Sequence, residues 1–154
     1  MRGATRSTSA IAPAGLWRQP LVPKPSVAHW VARTLRPLVG PVGASALGRR
    51  LLLSSAVAHP ERVPAGQSAR LVRAYAGASG FVPVNKAMRA GRFEDLARIP
   101  GPLTLVWPEH DRLVDRPARL PANVRNVVIK DAGHIPFWDA PDEVAAVLSE
   151  VSAY

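Results

Sequence analysis

Acidic and histidine side chains that can transfer protons follow two short apolar runs in the last third of the chain. The runs cover residues 103–107 and 127–129, and runs of this kind predict buried strands. The polar residues are Glu109, His110 and Asp111 after the first run and Asp131 and His134 after the second. An acid after one strand and a histidine after the next are how two members of a Ser-His-Asp system reach one site on an α/β sheet. Residue types and spacing therefore predict acid–base chemistry within residues 99–138.

The elements around this stretch change character near residue 98. Beyond it, strand and helix alternate, which predicts a parallel sheet with crossover connections. Residues 115–123 contain two prolines, so we expect any helix between the strands to be short or irregular. Asp139 is the predicted N-cap of a last helix, with Pro141 in its first turn. Residues 99–154 are therefore predicted to be one α/β segment.

Residues 26–98 predict an all-helical region. Ser26 is the expected cap of a first helix that runs to Leu38 and is ended by Pro37, Gly40 and Pro41. Its apolar face, which we expect to be buried, consists of Val27, Trp30, Val31, Leu35 and Leu38. Further helices are predicted after a cap at Ser45 with Leu47, Leu51 and Leu52, over residues 64–76 with Leu71, Val72 and Tyr75, and over residues 81–88.

The first 25 residues predict a short strand followed by an extended connection. Residues 9–13 are small and apolar and are bounded by a proline and a glycine. The prolines at 13, 20, 23 and 25 each fix φ and remove a donor, so residues 16–25 should not form a helix.

Size and composition favour one globular domain. The chain has 154 residues, of which 47% are hydrophobic, and no run approaches the roughly 20 apolar residues that a membrane span needs. We therefore expect no transmembrane helix. The sequence has no cysteine, which excludes disulfides and thiolate chemistry and is compatible with the reducing cytoplasm, where we expect the protein.

Positive charge is concentrated in the first part of the chain. Residues 1–60 contain eight Arg or Lys residues and no acid, within a net charge of +9. One alternative function is therefore a non-catalytic basic module that binds nucleic acid or an acidic partner. The arginines accompany no nucleic-acid motif or aromatic array, so nucleic acid is not the expected partner.

The chain resembles the C-terminal part of the α/β-hydrolase superfamily. Residues 103–114 resemble the seventh strand and its acid loop, with Pro108 where the family usually has Gly, and Asp111 takes the position of the catalytic acid. Residues 131–141 resemble the segment after the eighth strand, and His134 takes the position of the catalytic base. Residues 9–15 resemble the end of the sixth strand. Residues 26–98 are similar in placement to the cap that follows this strand in the family. The resemblance implies a partial α/β-hydrolase fold of few parallel strands plus a mostly helical cap.

The resemblance gives the two candidate catalytic residues their roles. His134 would accept the proton of a serine and pass it to the leaving group, in a tautomer held by Asp111. A loop histidine that only packs and a solvated loop carboxylate are the alternatives. A metal site of Glu109, His110, Asp111 and His134 is also conceivable, but no HExxH-type spacing supports it, and we expect no metal and no cofactor.

The family's Gly-x-Ser-x-Gly pentapeptide does not occur in these 154 residues. Gly77-Ala-Ser79-Gly-Phe and Gly43-Ala-Ser45-Ala-Leu come near it, but both lie in the predicted cap. We therefore expect a truncated, C-terminal portion of an esterase-like hydrolase for a small apolar ester or related carbonyl compound. Without the nucleophile and its oxyanion donors, we expect no activity from this chain alone.

Overall fold

A computed structural model describes residues 7–17, 21 and 26–152. In these ranges, three strands form one parallel sheet in the order β1-β2-β3, with β2 in the middle. Their bounds are Thr8–Ile11 for β1, Leu103–Pro108 for β2 and Val124–Ile129 for β3. The predicted α/β class with few parallel strands is confirmed. Residues 1–6 and most of the predicted proline-rich connection, 18–20 and 22–25, lie outside the described residues.

Helices occupy the connection between β1 and β2 and the end of the chain. The first group is α1 (Val27–Thr34), α2 (Val39–Ala44), α3 (Ala46–Leu53), α4 (Ala65–Gly77) and α5 (Phe81–Ala90), with 3-10 turns at Arg36–Leu38, Pro60–Arg62 and Leu96–Arg98. The second group is α6 (Pro136–Asp139) and α7 (Pro141–Ser152). Residues 26–98 thus contain helices and turns but no strand, and the β2–β3 connection is irregular, both as predicted.

Strand β2 is buried along its whole length. Leu103, Leu105 and Trp107 pack on one face of the sheet, and Val106 packs on the other face against Val144 of α7. Burial on both faces explains why β2 is almost entirely apolar instead of alternating, with Thr104 as its one polar residue.

The first predicted helix is shorter than expected, and its end was misplaced. Helix α1 stops at Thr34, and Pro37 lies in the 3-10 turn that follows. Gly40 and Pro41, expected to end a helix, lie in the first turn of α2. A proline is tolerated there because first-turn N–H groups have no intrahelical acceptor.

The predicted burial of the first helix is also wrong. The stripe faces outward: Trp30 is 66% exposed, and the other members of the stripe are exposed as well, namely Val27, Val31, Leu35 and Leu38. The buried residue is His29, at 5% exposure, whose ring stacks on Phe81 and meets the edge of Tyr75. Burial also raises the pKa of Tyr75. Packing of α1 against α4 selects the face that carries His29, which periodicity alone could not decide.

The other helices agree better with the expectations. Ser45 caps α3, since its Oγ accepts from Gly48 N at 3.0 Å. In α3, Leu47 and Leu51 are exposed, Leu52 packs against the core and Leu53 is buried at 2%. Helix α4 begins directly after Pro64, and α5 covers the predicted range. None of the helices in the described ranges is long and apolar enough to cross a membrane.

Asp139 does not cap α7, contrary to the expectation. It is the last residue of the short helix α6, and α7 starts at Pro141. Because α6 lies between the histidine loop and α7, the Asp139 carboxylate points towards backbone N–H groups of two loops. These are Ala58 and His59 in one loop and Gly133 in the other.

Candidate active site

The loops after β2 and β3 lie side by side at one edge of the sheet. The strands are parallel, and Pro108 at the end of β2 is paired in register with Ile129 at the end of β3. Backbone bonds continue the pairing beyond the strands: His110 N donates to Ala132 O at 2.9 Å. The structure therefore brings the two predicted site loops together.

Asp111 and His134 are in direct contact. His134 Nδ1 lies 2.9 Å from Asp111 Oδ2, and the two residues are 23 positions apart in the chain. The Asp111 side chain is only 4% exposed. Its other oxygen, Oδ1, accepts from the backbone N–H groups of Leu113 at 2.8 Å and Val114 at 3.0 Å. These two bonds fix the direction in which the carboxylate meets the imidazole.

The contact sets the protonation of the histidine ring. An ionised carboxylate can only accept, so Nδ1 of His134 donates and carries the proton of the neutral ring. The lone pair is then on Nε2, to which no residue in the described part of the chain donates a hydrogen bond. The side chain of His134 is 28% exposed. This arrangement is the one that a general base requires.

Gly133 allows the histidine loop to approach the helical region closely. A Cβ on Gly133 would lie 2.6 Å from Ala58 N and 2.7 Å from Val57 C. Both are backbone atoms, which cannot move aside as a flexible side chain can. Glycine is required because the two backbones nearly touch.

Residues 56–59, between α3 and the 3-10 turn at Pro60–Arg62, contact the histidine loop on both sides of His134. Ile135 N donates to Ala56 O at 2.8 Å. Asp139 Oδ2 accepts from Gly133 N at 2.8 Å and from Ala58 N at 2.9 Å. Sequence reasoning missed this role of Asp139, because an acid before Pro141 reads as a helix cap.

The neighbouring polar residues have structural contacts of their own. Glu109 Oε2 accepts from Asp131 N at 3.0 Å, and His59 Nε2 lies 2.7 Å from Asp131 Oδ2. The ring of His110 is half-exposed, and its Nε2 is 3.8 Å from Asp131 Oδ1. Within the described ranges, no group of three or more His, Cys, Asp or Glu side chains is arranged to hold a metal ion.

Neither serine of the near-miss pentapeptides occupies a nucleophile elbow. Ser79 lies in the turn between α4 and α5, and Ser45 caps α3. An elbow needs a strand on one side and a helix on the other, whereas both serines are flanked by helices.

Two open depressions are found among the described residues, and one of them lies beside Asp111. One, of about 380 Å³, is lined in part by Asp111, Asp115 and Arg116. Another, of about 440 Å³, lies between α4 and the end of α6 and is lined by Gln67, Arg70, Leu71, Ala74 and Trp138. His134 lines neither of these two depressions, so neither encloses the Asp111–His134 pair.

Comparison with known proteins gives one family and a set of similar folds. A family model described as the alpha/beta hydrolase family matches residues 2–147. No curated protein matches the chain. Among solved structures, a bacterial membrane phospholipase A is 20% identical with a TM-score of 0.58, over 96% of this chain and 48% of that chain.

Two further structures show the same extent of similarity. The 2-hydroxy-6-oxo-6-phenylhexa-2,4-dienoate hydrolase of Rhodococcus sp. strain RHA1 is 17% identical with a TM-score of 0.54, over 95% of this chain and 54% of that chain. The N-formylmaleamic acid deformylase of Pseudomonas putida S16 is 18% identical with a TM-score of 0.57, over 93% of this chain and 56% of that chain. At these identities the likeness is one of fold, and the chain spans about half the length of these structures.

Proposed function

Because the chain belongs to the alpha/beta hydrolase family, we propose that it supplies the acid Asp111 and the base His134 of a Ser-His-Asp hydrolase. The reaction class is hydrolysis, in agreement with the names of the three similar structures, a phospholipase, a hydrolase and a deformylase. The substrate class we propose is a small apolar ester or related carbonyl compound. We also propose that residues 26–98 form the cap of this hydrolase.

One observation carries this proposal, the 2.9 Å contact between His134 Nδ1 and Asp111 Oδ2. With the proton on Nδ1, the Nε2 atom can take the proton of a nucleophilic hydroxyl and later give it to the leaving group. Asp111 remains ionised and stabilises the imidazolium that forms between the two steps. The hydrogen bonds from Leu113 and Val114 to Asp111 keep this carboxylate in place throughout.

The nucleophile is proposed to come from outside these 154 residues. The sequence contains no Gly-x-Ser-x-Gly pentapeptide, and the chain spans about half the length of the similar structures. An oxyanion donor is worth on the order of 10² to 10³ in rate. We therefore propose that the 154-residue protein on its own has no esterase activity, and that the complete hydrolase needs a further segment.

The test begins with the coding DNA immediately upstream of Met1. If this DNA encodes a Gly-x-Ser-x-Gly stretch, in frame or after a frameshift, the longer protein is expressed and assayed on p-nitrophenyl esters. His134→Ala should then lower kcat, and with it kcat/KM, by about 10⁶-fold, and Asp111→Asn by about 10⁴-fold. An unchanged kcat/KM in the His134→Ala protein would contradict the assigned base. Ester turnover by the 154-residue protein, lost with His134→Ala, would contradict the need for a further segment.

A further inference from the structure

The carboxylate of Asp139 joins the histidine loop to the helical region. Its Oδ2 accepts from Gly133 N at 2.8 Å and Ala58 N at 2.9 Å, and its Oδ1 accepts from His59 N at 2.9 Å. We propose that Asp139 is a positioning residue that holds the backbone of His134 against residues 56–59, so that the imidazole reaches Asp111. This inference rests on the proposed function, in which His134 is the base.

The three donors need Asp139 because regular secondary structure does not satisfy them. Ala58, His59 and Gly133 all lie outside helices and strands, and the bonds to Ala58 and Gly133 are partly buried. A buried N–H without an acceptor is costly, and hydrogen bonds to a charged acceptor are about twice as strong as neutral ones. One carboxylate therefore holds two backbone segments about 75 residues apart in sequence.

The bonds act directly beside His134. Gly133 precedes it and is held by Asp139, while Ile135 follows it and donates to Ala56 O at 2.8 Å. At Gly133 the backbone lies so close to Val57 and Ala58 that an added Cβ would overlap them. With the peptide units on both sides held, the Cα–Cβ bond of His134 has a fixed direction, and from this position the imidazole reaches Asp111.

A second link between the same segments provides a matched control. His59 Nε2 lies 2.7 Å from Asp131 Oδ2, but the Asp131 side chain is 63% exposed. The N–H groups of Gly133 and Ile135 donate to Asp139 and Ala56, not to Asp131. Asp131→Asn removes the same charge as Asp139→Asn, in the same loop. Asn also tolerates the left-handed conformation of Asp131, whose φ is 51°. If Asp139 in particular positions His134, only Asp139→Asn should change the signals of His134.

The experiment is NMR spectroscopy of the 154-residue protein labelled with ¹⁵N. In the wild type, we expect His134 to be the Nδ1–H tautomer and the amides of Ala58, His59 and Gly133 to be protected from exchange. In Asp139→Asn, an amide NH₂ faces at least one of these donors, so we expect at least tenfold faster exchange of the three amides. We also expect the imidazole nitrogen shifts of His134 to move towards a mixture of tautomers. Asp131→Asn should leave both signals unchanged.

The outcomes separate this inference from the proposed function. An Nδ1–H tautomer that persists in Asp139→Asn would overturn the positioning role and leave the Asp111–His134 pair intact. A wild-type His134 without that tautomer would contradict the acid–base pair itself, and the exchange of the three amides would then decide whether Asp139 holds the loop. If Asp139→Asn fails to fold, the amide exchange rates of Ala58, His59 and Gly133 in the wild type decide the question. Exchange as fast as in open loops would overturn the inference.

Discussion

His134 Nδ1 lies 2.9 Å from Asp111 Oδ2, across two loops that follow neighbouring parallel strands. The contact exists because β2 and β3 end at the same edge of the sheet, with Pro108 opposite Ile129. Hydrogen bonds hold both partners in place. Backbone N–H groups of its own loop bind Asp111, and Asp139 and residues 56–59 bind the His134 loop. The acid and the base are therefore oriented by backbone hydrogen bonds, and the expected effects of substitution follow from those bonds.

Removal of the Asp111 carboxylate should destabilise the fold as well as the pair. In Asp111→Ala, the N–H groups of Leu113 and Val114 and the Nδ1–H of His134 lose their acceptor. We expect the free energy of unfolding to fall by about 1–3 kcal/mol, measured by urea denaturation. The control is Asp115→Ala, at an exposed position of the same loop. Equal losses in the two variants would contradict the anchoring of Asp111.

A methyl group at Gly133 should be costly. In Gly133→Ala the added Cβ would overlap the backbone of Val57 and Ala58, and forced movement in a packed site costs about 1–3 kcal/mol. Thermal unfolding checks this. Gly80→Ala is the control, because a Cβ at Gly80 meets no atom within 4 Å, and that change should be nearly neutral. A nearly neutral Gly133→Ala would contradict the close backbone approach.

The outward apolar stripe of α1 should affect surface properties more than stability. Trp30 is 66% exposed and Leu53 is 2% exposed. Trp30→Gln should therefore change the free energy of unfolding by at most about 0.5 kcal/mol, whereas Leu53→Ala should cost about 2–5 kcal/mol. Trp30→Gln should also lower the binding of a hydrophobic dye such as ANS. A large loss of stability in Trp30→Gln would show that α1 packs through its apolar stripe after all.

Glu61 should make stability depend on pH in the acid range. A backbone hydrogen bond and, after it, the Arg50 guanidinium hold the pKa of Glu61 below its ordinary 4.5. Since the folded state favours the ionised form, the contribution is present above the ordinary pKa and is lost as the pH falls through the lowered one. The difference in Tm between wild type and Glu61→Gln should therefore be small, because water screens the pair, and should vanish as the solution is acidified. A difference that grows on acidification would contradict this sign.

Nucleic-acid binding by the basic part of the chain is not expected. Fluorescence anisotropy with a labelled DNA duplex should show no binding at low salt or at physiological salt. An affinity that falls steeply between low and physiological salt would instead support the basic-module alternative, because released counterions give such a slope.

Local patterns predicted several elements correctly. Ser45 caps α3 because a serine hydroxyl can satisfy an N–H three residues ahead without help from the rest of the fold. The apolar run of β2 identified a strand buried on both faces. The ends of two parallel strands predicted that the polar residues of both loops lie at one edge of the sheet, and the family resemblance selected Asp111 and His134 among them.

The sequence by itself determined which segments form the strands and most of the helices, and that the polar residues of two loops lie at one edge of the sheet, since these depend on local periodicity and on strand direction. Only the tertiary structure decided that α1 buries His29 instead of Trp30, and that Asp139 binds three backbone N–H groups instead of capping α7. Both depend on which distant segment packs alongside. Periodicity defines the faces of a helix and residue type defines an acceptor, but the free energy that selects a face or a donor comes from contacts with residues far away in sequence.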